Sequence, residues 1–270
     1  MLRTRVIPCL LLKGNGLVKT IKFKNPTYIG DPINAIKIFN DKEVDELVFL
    51  DITASKEKKG PNFKLISEIT TECFMPLGYG GGITTIEQIE KLFNLGVEKV
   101  ILNTITHVQP ELIKKATDIF GSQSIVASID VKKHWLTKKQ AVYTLSGEQS
   151  TGYSPIDYAK KMEDAGVGEI IINSIDQDGT MTGYDLALIE AVSKTVKVPV
   201  VALGGAGSID DLLLAKKAGA SAVAAGSLFV FQKAHRAVLI TYPGEIDFGF
   251  DSAQPNDSAQ PHDSAQPDGV

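Results

Sequence analysis

The sequence predicts an α/β fold, a single closed (β/α)8 barrel, and three observations carry that prediction. Apolar runs of four to seven residues, rich in Val and Ile, alternate with longer stretches of helical period, which is the pattern of βα units around a parallel sheet. Eight such units fill about 230 residues, close to the ~250 of a typical barrel. The two halves of the chain also repeat one another at a fixed offset. A doubly wound sheet uses the same units, but eight evenly spaced ones favour closure.

In chain order, RVIPCLL sets the first strand at Arg5–Leu11, and PINAIKIFN, apolar at three- and four-residue spacings, sets the first helix at Pro32–Asn40. ELVFLD gives a strand at Glu46–Asp51 and the periodic stretch after it a helix at Asn62–Glu72. The same reasoning places strands at Phe74–Tyr79, Lys99–Asn103, Ile125–Asp130, Glu169–Ser174, Val198–Leu203 and Ser221–Gly226. Helices fall between them at Thr85–Leu95, Pro110–Phe120, Pro155–Ala165, Asp185–Thr195 and Ile209–Ala218. Past Phe229 the pattern weakens, and His235–Ile240 has room only for a short eighth helix before Pro243 and Gly244. Residues 1–245 are therefore assigned to the barrel. Residues 246–270 form a tail whose DSAQPN, DSAQPH and DSAQPD repeats have no apolar face, so disorder is expected there.

The repeat is specific. MPL at 75–77 before Gly80-Gly81-Gly82 parallels VPV at 198–200 before Gly204-Gly205, an offset of 123 residues. The same offset relates Glu46 to Glu169, Gly96 to Gly219 and Thr104 to Ser227, which suggests two similar half-barrels. The first strand fits at 119, pairing Leu11 with Asp130, with an insertion at 132–150 absorbing the difference.

Composition narrows the function classes. The chain has 270 residues, 43% hydrophobic and 22% charged, as expected of a soluble globular protein. Its net charge of -4 is matched by Asp251, Asp257, Asp263 and Asp268, so residues 1–250 are near neutral and neither a nucleic-acid partner nor a membrane is implied. The longest uncharged stretch, Ala218–Gln232, is shorter than the ~18 residues of a membrane helix. Two cysteines, Cys9 and Cys73, make no disulfide scaffold, and no cleavable leader is evident, so the cytoplasm is the expected compartment. Neither a metal nor a cofactor is called for.

In such a barrel, polar residues at the carboxyl ends of the strands are the functional candidates. Gly81 and Gly82 stand opposite Thr104, and Gly204 and Gly205 opposite Gly226 and Ser227. Each set offers backbone N–H groups and a helix start, the ingredients of a phosphate site, so a small molecule phosphorylated at both ends is the simplest ligand. Any one of these glycines could merely serve a tight turn, but the repetition argues for the set. Asp130, Asp51, Asp176 and Asp178 end or follow strands and are candidate acid–base groups. Asp178-Gly179 is also a turn signal, whereas a carboxylate closing the run IVASI needs a use or a partner. Asn103 and Asn173 could bind hydroxyls or amides, and Lys19, in the first βα loop, could reach a phosphate. At the other end, Arg5, Lys99 and Glu169 share parity with the mouth residues Leu11, Asn103 and Asn173, and with Glu46 they predict a charge-balanced ring, either packing or a gate for something small.

From Met1 to about Phe231 the chain resembles the cyclase subunit of imidazole glycerol phosphate synthase, the HisF type. The resemblance rests on LVFLDITAS at 47–55, GGGI at 80–83, VILNT at 100–104, SIDQDGTMTGYD at 174–185 and LGGAGS at 203–208. It implies that a glutaminase subunit docks at the amino ends of the strands and that Arg5, Glu46, Lys99 and Glu169 gate the ammonia it makes. It further implies that ammonia crosses the barrel and meets a doubly phosphorylated ribonucleotide at the mouth, giving imidazole glycerol phosphate and an aminoimidazole carboxamide ribotide. One departure matters: the family motif has a catalytic Asp where this chain has Leu11, reading CLLL for CLDV, while Asp130 remains. The stretch LLLKGNGLVKTIKFKNPTYIGDPINA also resembles a branch associated with sugar amidation for surface polysaccharides, where the barrel acts with its glutaminase and a sugar amidotransferase. A non-catalytic phosphosugar-binding scaffold would leave the four gate charges idle.

Overall fold

A computed structural model of the chain describes residues 4–232, 237–244 and 246. The first half runs β1 (Arg5–Lys13), β2 (Gly16–Ile21), β3 (Lys24–Gly30), α1 (Pro32–Asp41), β4 (Leu47–Asp51), α2 (Phe63–Glu72), β5 (Leu77–Gly80), α3 (Ile86–Asn94), β6 (Lys99–Leu102), α4 (Thr104–Val108) and α5 (Glu111–Phe120). The second runs β7 (Ile125–Lys133), β8 (Gln140–Thr144), β9 (Gln149–Ser150), α6 (Pro155–Asp164), β10 (Glu169–Ser174), α7 (Leu186–Ser193), β11 (Val200–Leu203), α8 (Ile209–Lys217), β12 (Ala222–Ala225) and α9 (Ser227–Val230). A short antiparallel pair, β13 (Phe231–Gln232) and β14 (Ala237–Val238), follows. Strands β1, β4, β5, β6, β7, β10, β11 and β12 pair in parallel, each with the next, and β12 returns to β1. The predicted (β/α)8 barrel is thus present and closed.

The two-residue period of a strand sorts the core into two compartments. Val6 and Leu10 of β1 face the helices, whereas Ile7 and Cys9 face the lumen with Val48, Ile101, Val126, Ile171, Val201 and Ala224. The repeat extends to the helix caps. Side chains of Asp31 and Ser154, Asn62 and Asp185, and Thr85 and Ser208 accept N–H groups from the first turns of α1 and α6, α2 and α7, and α3 and α8. Each pair lies 123 residues apart, and Thr85 and Ser208 both form capping boxes. Half-barrel similarity is thus written in capping chemistry as well as in glycines.

Four expectations need correction. The strands expected from Phe74 and Val198 begin at Leu77 and Val200, because Pro76 and Pro199 cannot donate to a ladder. Their carbonyls instead accept from Leu47 N at 2.9 Å and Ile170 N at 3.0 Å, again in register with the repeat. Asn103 and Gly226 are not strand ends but the caps of α4 and α9. Lys19 is not in a loop: β2 and β3 form a hairpin on β1, and β8 and β9 form its counterpart on β7, within the stretch read as an insertion. The eighth helix expected at His235–Ile240 is absent from the described part of that stretch, where Ala237–Val238 pairs with Phe231–Gln232. Apart from Ile246, the tail lies outside the described residues.

Candidate active site

A cavity of about 270 Å³ opens at the carboxyl ends of the strands. Leu11, Lys19, Asp51, Gly81, Gly82, Asn103, Thr104, Asp130, Asn173, Asp178, Gly204, Gly205, Gly226 and Ser227 all line it. The loops after β5 and β11 shape its two sides through backbone that only glycine adopts without strain. Gly82 and Gly205 have φ of 69° and 120°, and a Cβ there would lie 2.3 Å from Lys59 O and 2.1 Å from Gly183 O. Gly205→Ala should therefore lower stability by about 1–3 kcal/mol and weaken phosphate binding. Chemical denaturation and a phosphate titration check both, and an unchanged midpoint would show that the loop relaxes.

Across from these loops, α4 and α9 start at Asn103 and Gly226 with no side chain capping their first-turn N–H groups. The two sides differ in detail. Ser227 Oγ is buried without a hydrogen-bond partner, and Lys19 Nζ packs on Gly226 while donating to Cys9 O at 3.4 Å. Opposite, Thr104 Oγ1 accepts from Leu145 N at 3.2 Å, and Gly82 N donates to Ser55 Oγ at 3.3 Å. The Gly226 side thus presents an ammonium and an open hydroxyl that the Gly82 side lacks.

The carboxylates separate by environment. Asp130 is buried and accepts from Asn173 Nδ2 and Asn103 Nδ2, each at 3.1 Å. Burial pushes its pKa up to about 7, helped by nearby Asp178 and opposed by the two amides. Burial also raises Asp178, against Lys19, Thr20 Oγ1 at 3.1 Å and the Phe23 backbone. Asp51 turns to its own loop, accepting from Thr53 N, Thr53 Oγ1 and Ala54 N, and Asp176 accepts from Lys133 N; both brace backbone.

Barrel register shows what Leu11 replaces. Leu11 pairs with Leu50 and Asp130 with Asn173, and Leu50 and Asn173 are 123 residues apart. Leu11 is therefore the counterpart of Asp130 in the other half-barrel, and where one side of the mouth presents Asp130, Asn173, Asn103 and Ser128 the other presents Leu11, Leu50 and Leu203, with Lys19 and Asp178 beside them.

At the barrel floor Arg5 reaches Glu46 and Glu169, and Lys99 Nζ lies 2.9 Å from Glu46 Oε2 and 2.9 Å from Glu169 Oε2. The four predicted charges form one closed ring. Directly above it the apolar lumen holds a pocket of about 10 Å³, room for one water-sized molecule, lined by Ile7, Val48, Ile171, Val201 and Ala224 among others.

Several lining residues were not foreseen: Phe23, Pro26, Ser55, Ser128 and Ser146. The two hairpins bring most of them. Lys22 N donates to Asp178 O at 2.9 Å, Ser146 Oγ donates to Ile52 O at 3.0 Å, and Phe23 packs against Gly147, so the hairpins meet over the mouth. The dipeptide Gly14-Asn15 between two apolar runs is the one local signal that would have flagged the first of them.

Fold and site together define a half-barrel-repeat (β/α)8 protein with a glycine-lined, polar mouth and a charged floor. The chain belongs to the histidine biosynthesis protein family, whose model matches residues 5–235. It is 56% identical over 252 residues to a Pseudomonas aeruginosa protein carrying the provisional name imidazole glycerol phosphate synthase subunit hisF2, covering 92% of this chain and 100% of that one. A Leptospira interrogans protein with the provisional name of the HisF subunit is 48% identical over 248 residues, 92% of this chain and 98% of its own. The imidazole glycerol phosphate synthase subunit HisF of Leptospira biflexa is 40% identical over 231 residues, 85% and 91% of the two chains. Among the described residues no helix is long and apolar enough to cross a membrane.

Proposed function

We propose that this chain is the ammonia-using barrel subunit of an imidazole glycerol phosphate synthase-type enzyme, fed at its floor by a separate glutaminase subunit. One observation carries the reading: a charge-balanced ring closes one end of an apolar lumen whose other end opens beside Asp130 and the twin glycine loops. An apolar lumen admits neutral ammonia but not ammonium, since a bare cation pays far more to shed its water. At the mouth the ligand's two phosphates rest on the Gly82–Thr104 and Gly205–Ser227 sides. Asp130, poised near neutrality, then gives or takes a proton in the ring closure that yields imidazole glycerol phosphate and the carboxamide ribotide. Turnover of the doubly phosphorylated ribonucleotide by the purified chain with an ammonium salt at alkaline pH tests this; no product at all would refute it.

The glutaminase must be a partner, because neither thiol here suits that chemistry. Burial pushes Cys9 up to about 12 and raises Cys73 as well, so neither forms a thiolate readily. The isolated chain should release no glutamate from glutamine and should bind a glutaminase through the surface around Glu46, Glu98 and Lys99. Glutamate release by the chain alone contradicts this.

Leu11 favours a second reading. With leucine where the counterpart of Asp130 stands, the barrel would deliver ammonia onward to a sugar amidotransferase for surface polysaccharide. Ammonia-dependent amidation of a keto-sugar only when barrel, glutaminase and that third enzyme are mixed would select this reading over the first.

A further inference from the structure

We infer that Asp178, brought to the mouth by the loop after β10 and clamped there by the first hairpin, is the second acid–base group that Leu11 leaves missing. The inference rests on the ammonia-using reading above. Ammonia adding to a carbonyl carbon forms a C–N bond while the C=O electron pair moves to oxygen. The nitrogen then sheds protons that the oxygen gains before leaving as water, so none is consumed overall. Two positioned groups serve this better than one. Asp130 supplies one of them.

Asp178 is a half-buried carboxylate on the same cavity wall, and besides its tie to the first hairpin it faces Lys19. Its Oδ2 accepts from Thr20 Oγ1 at 3.1 Å, and its backbone oxygen accepts from Lys22 N at 2.9 Å. Gly179 beside it allows the close approach, since a Cβ there would lie 2.0 Å from Thr20 O. Strand β2, which carries Thr20 and Lys19, pairs with β1 through Leu11 and Val18. The hairpin thus holds Asp178 against the strand that lacks its own carboxylate. The charged and titratable groups around Asp178 are Lys19 on β2, Asp130 on β7 and the Cys9 thiol on β1. Lys19 favours its ionised form and Asp130 disfavours it, while Cys9 stays neutral, so opposing neighbours act on its proton.

The test is kcat and KM across pH, with an ammonium salt and the bisphosphorylated ribonucleotide, for the unmodified chain, Asp178→Asn, Leu11→Asp and the double variant. Asp178→Asn should lower kcat about 10²-fold in the unmodified chain but less than about tenfold in the Leu11→Asp background, with KM moving less than about threefold. One limb of the kcat–pH profile should disappear. Thr20→Val keeps the carboxyl and removes a hydrogen bond to its charged form, so the same limb should move to higher pH. Equal losses in both backgrounds, an intact profile in Asp178→Asn, or an unmoved limb in Thr20→Val would overturn the inference. So would turnover by Leu11→Asp with none by the unmodified chain. Silence from both overturns the ammonia-using reading itself.

Discussion

Replacing Leu11 with Asp is expected to raise ammonia-dependent turnover of the bisphosphorylated ribonucleotide by up to about 10²-fold, because a carboxylate on the strand end itself would be better placed than Asp178, the stand-in held by the hairpin. Register makes Leu11 the counterpart of Asp130, and its side chain lines the same cavity, so a carboxylate there would face the substrate from the opposite half-barrel. The cost in stability should be modest. The new charge would sit on an open cavity wall near Lys19 rather than in a closed core, which suggests about 1 kcal/mol, the average for a substitution. Steady-state kinetics of the two proteins decide it. Equal rates would show that Asp178 already does all that a carboxylate at position 11 could.

Asp130→Asn should do the opposite to activity and, at alkaline pH, improve stability. Turnover should fall by about 10² to 10⁴-fold, as for loss of a general acid–base group. The stability gain follows from the raised pKa. Between pH about 4 and about 7 the folded protein keeps a proton on Asp130 that the unfolded chain releases, so stability falls as pH rises through that window. Removing the charge should return about 2–4 kcal/mol at pH 8 and almost nothing at pH 4. The hydrogen bonds can survive, because Asn173 Oδ1 is buried without a partner and one amide flip presents it to the amide introduced by the substitution. Denaturation curves of both proteins at the two pH values measure the difference. A destabilised variant at pH 8 would mean that Asp130 is held ionised by its amides.

The barrel was legible in the sequence because its strands are buried on both faces and read as continuous apolar runs. LVFL and EIIIN needed no tertiary context to be recognised. The 123-residue repeat was legible for a similar reason: glycines and caps sit where backbone geometry leaves little choice. The hairpins were not. Strand β3 is mostly exposed and its KNPTYIG carries no alternation, so its pairing is set by the register against β2, a non-local property. Consequently Lys19 was read as a loop lysine, and the clamp of Thr20 on Asp178 could not be foreseen. The asymmetry of the mouth was visible only in part, because Leu11 stood out against the motif, whereas Leu50 and Leu203 read simply as strand residues.

The central claim is that ammonia travels from the floor ring through the lumen to the mouth. Ala224 lines the small pocket above the ring, and filling it with Leu should block that path without touching either glycine loop or Asp130. The decisive measurement is the ratio of glutamine-dependent to ammonium-dependent turnover of Ala224→Leu in complex with its glutaminase subunit. The account predicts that glutamine-dependent turnover falls at least about tenfold while turnover with an ammonium salt, which reaches the mouth from solution, stays within about twofold. Equal effects on the two, or none on either, would contradict passage through the barrel.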